Sequence, residues 1–293
     1  RIDVVSAGLI AAGLVAVVYA CSQAVPHGWS SPQVIAPLAV GLAGVALFLV
    51  VQAHRTSPLL PLHIVAHRSR AGAYLAVSAA VVGSFGMFLM LTYHFQVILG
   101  YSPLQAGLAF LPLTVAVSSS AYGISSRLLP HVQPKTLIVP GLLVAAAGLA
   151  LLTQLDAASG YVSVILPAQV LLGLGMGCVF TPAISIATSD IDHRDAGIAA
   201  AVANTAMQIG GSVGTAVLNT VAITATAAYV SAHAATAAVA RDALVHGYAA
   251  ATTWAAVLLG VVAAVIAVMI RPPHPDTTVP TGSPQRANAQ TED

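Results

Sequence analysis

The sequence predicts an all-α integral membrane protein in which eight helices cross the bilayer. Of the 293 residues, 58% are hydrophobic and only 6% are charged, and the mean hydropathy is +0.89. Soluble domains carry roughly 25% charged residues, so a soluble protein of this composition would lack the polar surface that it needs. The hydrophobic residues fall into runs of about 20, the length that one helix needs to cross the hydrocarbon core.

Eight hydrophobic runs follow one another along the chain. Proline inside a run, as at Pro112 and Pro167, is compatible with a membrane helix because neighbouring groups re-satisfy the freed backbone. The predicted spans are Val4–Ala20, Val34–Val51, Ala73–Leu99, Ala106–Leu128, Leu137–Leu155, Tyr161–Ala187, Ala196–Thr224 and Tyr248–Ile270. The alanine-rich segment Ala227–His246, before the last span, is predicted to form a helix along the external membrane surface.

The positions of lysine and arginine indicate the orientation of the chain. With eight spans, nine of the 10 Lys and Arg residues fall on one side, and Arg241 alone falls on the other. Basic residues are retained on the cytoplasmic side, so both termini are predicted to be cytoplasmic in a plasma-membrane protein. The predicted organisation is two helices in 1–52, a cytoplasmic linker in 53–71, a six-helix bundle in 72–270 and a disordered cytoplasmic tail in 271–293.

The stretch 171–221 contains two hydrophobic runs joined by a short charged segment. Glycines lie four residues apart in each run, Gly173 with Gly177 and Gly210 with Gly214. This spacing lets two helix backbones approach closely in lipid. The glycines of LLGLGMG follow no predicted strand, so they indicate helix packing and not a nucleotide-binding loop.

Five segments, in this order and spacing, form a specific pattern. They are HGWSSP at 27–32, SPLLPLHIV at 57–65, FQVILGYSPLQAGLAFLPL at 95–113, LLGLGMGCVFTPA at 171–183 and DAGIAAAVANTAMQIGGSVGTAV at 195–217. Through them the chain resembles the C-terminal part of a major facilitator superfamily transporter of the fourteen-helix drug:proton antiporter group. The eight spans then correspond to helices seven to fourteen, with the C-terminal six-helix bundle preceded by two extra helices.

The resemblance implies proton-coupled efflux of small hydrophobic or cationic drugs by alternating access, as found in antibiotic resistance. The implied partners are the substrate, protons, the lipid bilayer and an N-terminal six-helix half that this chain does not contain. The resemblance also implies a gating loop at 126–135, in which Arg127 and Lys135 match basic positions while Ser126 and Gln133 replace glycines. The alternative is a free-standing eight-helix interaction or scaffold subunit without transport activity of its own.

One titratable side chain, His94, lies inside a predicted span near the end of the third run, with Gln96 close by. An unperturbed imidazole titrates near pH 6.5, so His94 is a candidate proton or substrate contact. The other interpretation is an interfacial histidine that is hydrogen-bonded to a neighbouring helix. Both interpretations remain open at this point.

Uncharged polar residues inside the spans are further candidates for the substrate path. Asn204 and Gln208 lie four residues apart on one helical face, and polar groups inside a membrane turn toward protein or a water-filled path. The alternative is that they hydrogen-bond between helices and hold the bundle together. Gln169, and more weakly Asn219 and Tyr122, belong to the same class.

The sequence contains no enzyme signature and indicates no cofactor and no metal site. His63 and His67 share a helical spacing but have no apparent third ligand. The formal net charge of +1 does not indicate a nucleic-acid partner. Cys21 and Cys178 lie in hydrophobic runs and are predicted to be buried, inert thiols.

Overall fold

The eight-span prediction is confirmed by the computed structural model. It describes residues 4–55, 67–155, 160–189, 196–233 and 236–270, and eight helices of this part are long and apolar enough to cross a membrane. Most of the predicted linker (56–66), the charged segment 190–195 and the predicted tail 271–293 lie outside the described residues.

The helices follow the predicted order, with some spans divided into shorter helical pieces. The α-helices are α1 (Val4–His27), α2 (Pro32–Ala53), α3 (Arg68–Tyr93), α4 (Pro103–Ala109), α5 (Leu111–Ser119), α6 (Ser126–Leu128), α7 (Lys135–Leu152), α8 (Leu166–Thr188), α9 (Ala196–Ala232) and α10 (Ala237–Met269). Short π-helical segments are found at His94–Ile98, Ser120–Ser125 and Tyr161–Ile165. The first continues α3, the second joins α5 to α6 within one span, and the third leads into α8.

The helix bundle is centred on α3 and α8, which pack against each other and against most of the other bundle helices. Its core is apolar and includes the fully buried side chains Met87, Leu91, Leu149 and Leu172. Glycine allows a close approach between α7 and α8, since a Cβ atom on Gly148 would lie 2.8 Å from the Ala168 carbonyl oxygen. Lipid and the protein interior are equally apolar, so van der Waals packing between helices, and not exclusion from water, holds these side chains in place.

The last two helices are longer than the sequence predicted. α9 has 37 residues and α10 has 33, which correspond to lengths of about 55 and 50 Å at 1.5 Å per residue. The segment 227–246 therefore does not form a separate surface helix, because its alanines continue the two membrane helices. The Tyr229 ring of α9 contacts two histidine rings near these helix ends. Its centroid lies 4.2 Å from that of His233 and 5.2 Å from that of His246 on α10.

The α1–α2 hairpin attaches to the bundle through α9. Val17 and Cys21 of α1 are buried with Ala216 of α9 in a small apolar cluster. At the turn between α1 and α2, the indole nitrogen of Trp29 donates a hydrogen bond to the Thr220 hydroxyl, with an N–O distance of 3.1 Å. The turn includes Gly28 at φ 77°, a left-handed conformation that glycine adopts readily.

Contacts at the helix ends show that neighbouring spans run in opposite directions. At one end, Arg70 near the start of α3 donates to the Ser189 carbonyl oxygen just after α8 (3.2 Å). At the other end, Arg241 of α10 donates to the Val97 carbonyl oxygen just after α3 (3.4 Å). α1, α3, α7 and α9 therefore point one way, and α2, the α4–α6 span, α8 and α10 point the other way.

Candidate functional site

A row of uncharged polar side chains follows one face of α9. We call it the polar stripe; it consists of Asn204, Gln208, Ser212, Thr215 and Asn219. At 3.6 residues per turn these positions fall within an arc of about 80°, and they extend over about 22 Å of the helix axis. A polar face of this length is costly against hydrocarbon and indicates a surface that meets protein, water or a ligand.

The polar stripe differs from the other hydroxyl groups on α9 in its hydrogen bonding. Thr220 and Thr226 each donate to the carbonyl oxygen four residues earlier, at 2.8 Å. Within the described part of the chain, the side chains of the polar stripe form no hydrogen bond. Gln208 and Asn204 are exposed, and the other three are half-buried, so the stripe keeps its hydrogen-bonding capacity for another partner.

The middle of the polar stripe forms the floor of a groove with a volume of about 590 Å³. Gln208, Ser212 and Thr215 line it from α9, and Phe85 lines it from α3. The opposite wall belongs to α1 and consists of Val18, Cys21, Ser22 and Pro26. Three helices from distant parts of the sequence therefore build this site, which we call the α1–α9 groove.

The α1–α9 groove is mostly apolar, and its few polar groups are uncharged. Among the described residues, its lining contains no carboxylate, ammonium or guanidinium group. Ser22 returns its hydroxyl to the Tyr19 carbonyl oxygen (2.8 Å), so the free hydrogen-bonding groups are those of the α9 floor. The groove therefore suits hydrogen bonding and apolar contact better than ion pairing.

The glycine pairs lie where two spans approach each other closely. A Cβ atom on Gly173 would lie 2.7 Å from the Ala116 Cβ atom, and one on Gly177 would lie 2.7 Å from the Ser120 Cβ atom. On α9, Cβ atoms on Gly210 and Gly214 would lie 2.8 and 2.5 Å from the nearest atoms of Ser78 and Val82. The second pair sets α9 against α3 and so directs the polar stripe into the space beside Phe85.

His94 and Gln96 lie away from the groove, in the π-helical segment that continues α3. His94 is buried, with 2% of its surface exposed, whereas Gln96 is exposed. The neighbouring ring of Phe95 is fully buried and meets Phe110 edge-on at 5.3 Å and Tyr161 at 5.9 Å. π-Helical segments are often found at functional sites, and this one contains a buried imidazole followed by a buried aromatic ring.

Gln169 is fully buried in the first turn of α8, at 0% exposure. Neither its amide nitrogen nor its amide oxygen has a hydrogen-bond partner among the described residues. An unsatisfied buried amide costs about 1–3 kcal/mol. Gln169 does not line the α1–α9 groove, so it is a separate polar position inside the bundle.

The two basic residues of the predicted gating loop lie on either side of the turn between α6 and α7. Arg127 is exposed, and its carbonyl oxygen is 3.1 Å from Nδ1 of His131. Lys135 is half-buried and begins α7. Neither side chain forms an ion pair within the described residues.

The structure thus brings Asn204 and Gln208 onto one surface and leaves His94, Gln96 and Gln169 elsewhere. The residues that the sequence analysis missed are Ser212 and Thr215 of α9 and the α1 wall. For Ser212 and Thr215 a signal existed, because they follow Gln208 at successive spacings of four and three residues and so stay on the same helical face. The α1 wall gave no signal, because α1 is apolar on nearly every side and does not reveal which face packs inward.

Comparison with known proteins identifies a protein family for most of the chain. The sequence profile of the Major Facilitator Superfamily matches residues 4–215, which include α1–α8, much of α9 and all of the α1–α9 groove lining except Ala216.

Individual relatives are resistance and export proteins of actinobacteria. The chain is 45% identical over 272 residues to puromycin resistance protein pur8 of Streptomyces alboniger, covering 92% of this chain and 54% of the relative. It is 36% identical over 222 residues to cephamycin export protein CmcT of Amycolatopsis lactamdurans (75% and 46% covered). It is 32% identical over 220 residues to multidrug efflux pump LfrA of Mycolicibacterium smegmatis (75% and 43% covered). The chain spans about half the length of these relatives.

Proposed function

We propose, since this chain belongs to the major facilitator superfamily, that it forms the C-terminal part, helices seven to fourteen, of a proton-coupled drug exporter. The observation that carries the proposal is the 45% identity to a puromycin resistance protein over 92% of the chain. The cargo would be small hydrophobic or cationic molecules. The protein would lie in the plasma membrane, with both termini in the cytoplasm.

The mechanism that we propose is alternating access. Transporter folds of this kind rock one bundle against another around a site near the bilayer midplane. In this chain the six spans from α3 to α10 would form one such bundle, and a second six-helix half would complete the pathway. The polar stripe would offer hydrogen bonds to a substrate that passes along α9, and Arg127 and Lys135 would hold the α6–α7 turn in one of the two states.

Proton coupling requires a group that changes its protonation as the pathway opens to each side. Within the described spans, His94 carries an imidazole, a group that can accept and release a proton. Its burial, with 2% of its surface exposed, fits a site that is closed to water in one state. We propose that movement of the π-helical segment His94–Ile98 exposes the imidazole in the other state.

Export activity can be tested by completing the pathway. The chain is fused behind the N-terminal half of the puromycin resistance relative and expressed in a bacterial host that lacks its own efflux pumps. The fusion is expected to raise the inhibitory concentration of puromycin and to lower accumulation of a fluorescent dye. A protonophore is expected to abolish the difference, because the proton gradient would drive export.

The control is the intact relative, in which the same junction joins its own two halves. The chain expressed alone is expected to insert into the membrane without exporting puromycin, because half of the pathway is absent. A fusion that inserts and folds like the intact relative but leaves puromycin accumulation unchanged would contradict the proposal. That result would favour the free-standing scaffold subunit.

A further inference from the structure

The α1–α9 groove has the dimensions and chemistry of a small-molecule site. We propose that it binds an uncharged aromatic molecule that carries hydrogen-bonding groups, and that α1 supplies one wall of the site. The inference rests on the proposed function only for the statement that the bound molecule is cargo. Binding itself can be measured without transport.

The size of the groove fits a drug-sized ligand. Its volume is about 590 Å³, and small-molecule pockets in proteins generally measure roughly 300–1,000 Å³. Walls on both sides, Phe85 from α3 and Val18 from α1, would remove much of the ligand surface from lipid and water. The groove is therefore a formed cavity between helices and not a flat helix face.

The floor of the groove supplies directional contacts. Gln208 offers both an amide donor and an amide acceptor, and the hydroxyls of Ser212 and Thr215 can each donate and accept. Within the described residues these three side chains form no hydrogen bond. A ligand with carbonyl, hydroxyl or amide groups would use this capacity.

The charge of the ligand follows from the lining. A cation that leaves water for an apolar site must meet an opposite charge or lose several kcal/mol, and no described residue of the groove carries a carboxylate. Phe85 is 41% exposed, so its ring is available for offset stacking on an aromatic ligand. A neutral aromatic molecule therefore fits the groove better than an organic cation of equal size.

The α1 wall is held in place by its contacts with α9. Val17 and Cys21 pack on Ala216, and the hydrogen bond from Trp29 to Thr220 joins the α1–α2 turn to the same helix. The hairpin that precedes the bundle thus shapes the site directly. A change on α1 should alter binding even though α1 lies outside the six-helix bundle.

Binding is tested by protection of an introduced cysteine in the full chain reconstituted into lipid nanodiscs. In a Cys21→Ala, Cys178→Ala background, Ser212→Cys is labelled with N-ethylmaleimide in the presence of Nile red, a neutral aromatic dye with a carbonyl group. A dye concentration ten times Kd is expected to slow labelling about elevenfold. Ethidium, a cation of similar size, is expected to leave the rate unchanged at equal concentration in the bilayer.

Matched variants test the position of the site and the role of α1. Thr253→Cys on α10 is exposed and lies outside the groove, so Nile red should not protect it. Val18→Trp would fill the groove from α1 and bring the labelling ratio with and without dye close to one. Val40→Trp on α2, an exposed position that does not line the groove, should preserve the protection of Ser212→Cys.

Three results would overturn the inference. Equal protection of Thr253→Cys by Nile red would show that the dye acts through the bilayer. Equal protection of Ser212→Cys by ethidium would show that the site does not select neutral ligands. Full protection of Ser212→Cys in the Val18→Trp variant would show that α1 does not form a wall of the site. If the fused protein exports puromycin but gives any of these results, the groove is not the binding site and the proposed export function still holds. If Nile red protects Ser212→Cys but the fused protein does not export puromycin, the groove binds the dye and the proposed export function is refuted.

Discussion

His94 is the residue that we propose for proton coupling, and its structural environment bears directly on that role. It begins a π-helical segment, is 2% exposed, and precedes a fully buried phenylalanine. An imidazole with so little access to water exchanges protons only when the surrounding segment moves. A functional His94 therefore implies a conformational change at the end of α3.

Replacement of His94 tests this role in the fused transporter. We expect His94→Ala to slow proton-driven efflux about tenfold, equivalent to a barrier increase of about 1.4 kcal/mol, because the proton acceptor is lost. Initial efflux rates are measured in everted vesicles between pH 6 and pH 8. His233→Ala, at an exposed position near the end of α9, is the matched control. Efflux with unchanged pH dependence in His94→Ala would remove His94 from the mechanism.

Gln169 gives a second prediction at this scale. Because its buried amide has no partner among the described residues, Gln169→Leu is expected to raise the free energy of unfolding by about 1–3 kcal/mol. The measurement is thermal unfolding in detergent. Gln154→Leu, at an exposed position, should change stability by no more than about 0.5 kcal/mol. A destabilised Gln169→Leu protein would show instead that the amide has a structural partner.

The sequence identified part of the polar stripe because amides are rare inside membrane helices. Asn204 and Gln208 were recognised for this reason, whereas Ser212 and Thr215 were not. Hydroxyl groups in helices usually return to their own backbone, as Thr220 and Thr226 do, so a serine or threonine carries little information. Only the structure distinguishes the hydroxyls that remain available.

At the scale of single helices, close packing at glycine determines where the spans meet. The Cβ atom of Gly177→Ala would lie 2.7 Å from the Ser120 Cβ atom, so α8 and its neighbour would have to separate. We expect a loss of about 1–3 kcal/mol, measured as a lower thermal midpoint in detergent.

The control is another glycine inside a membrane helix. A Cβ atom on Gly260 would have no described atom within 4 Å, and Gly260→Ala is expected to be neutral or to stabilise α10 by up to about 1 kcal/mol. Equal losses in both variants would mean that helix propensity, and not contact between helices, determines the effect of these glycines.

The number and order of the helices were predictable, while several of their ends were not. Hydrophobic run length reveals the part of a helix that lies in lipid, but α9 and α10 continue through alanine-rich sequence that has no hydrophobic periodicity. Nor did the sequence predict that α1 packs on α9 beside the groove. α1 is apolar around most of its circumference, so the packed face is decided by fit to Ala216 and not by a polar–apolar pattern.

At the scale of the whole molecule, the alternating direction of the spans determines on which side of the membrane each loop lies. His131 precedes α7 and Gln154 follows it, so the two residues lie at opposite ends of one membrane helix. In a background without the native cysteines, a membrane-impermeant maleimide added to intact cells is expected to label Gln154→Cys and not His131→Cys. Labelling of both positions from outside would contradict the proposed topology.

The bond between Trp29 and Thr220 has a mechanical consequence for the whole molecule. Together with the packing of Val17 and Cys21 on Ala216, this bond connects the hairpin to α9 at two places. A tilt of α9 that preserves both contacts carries the α1–α2 hairpin through the same arc, and the annulus of lipid displaced by that tilt surrounds eight helices instead of six. Transport by a complete exporter should accordingly respond to bilayer thickness through the hairpin as well as through the bundle.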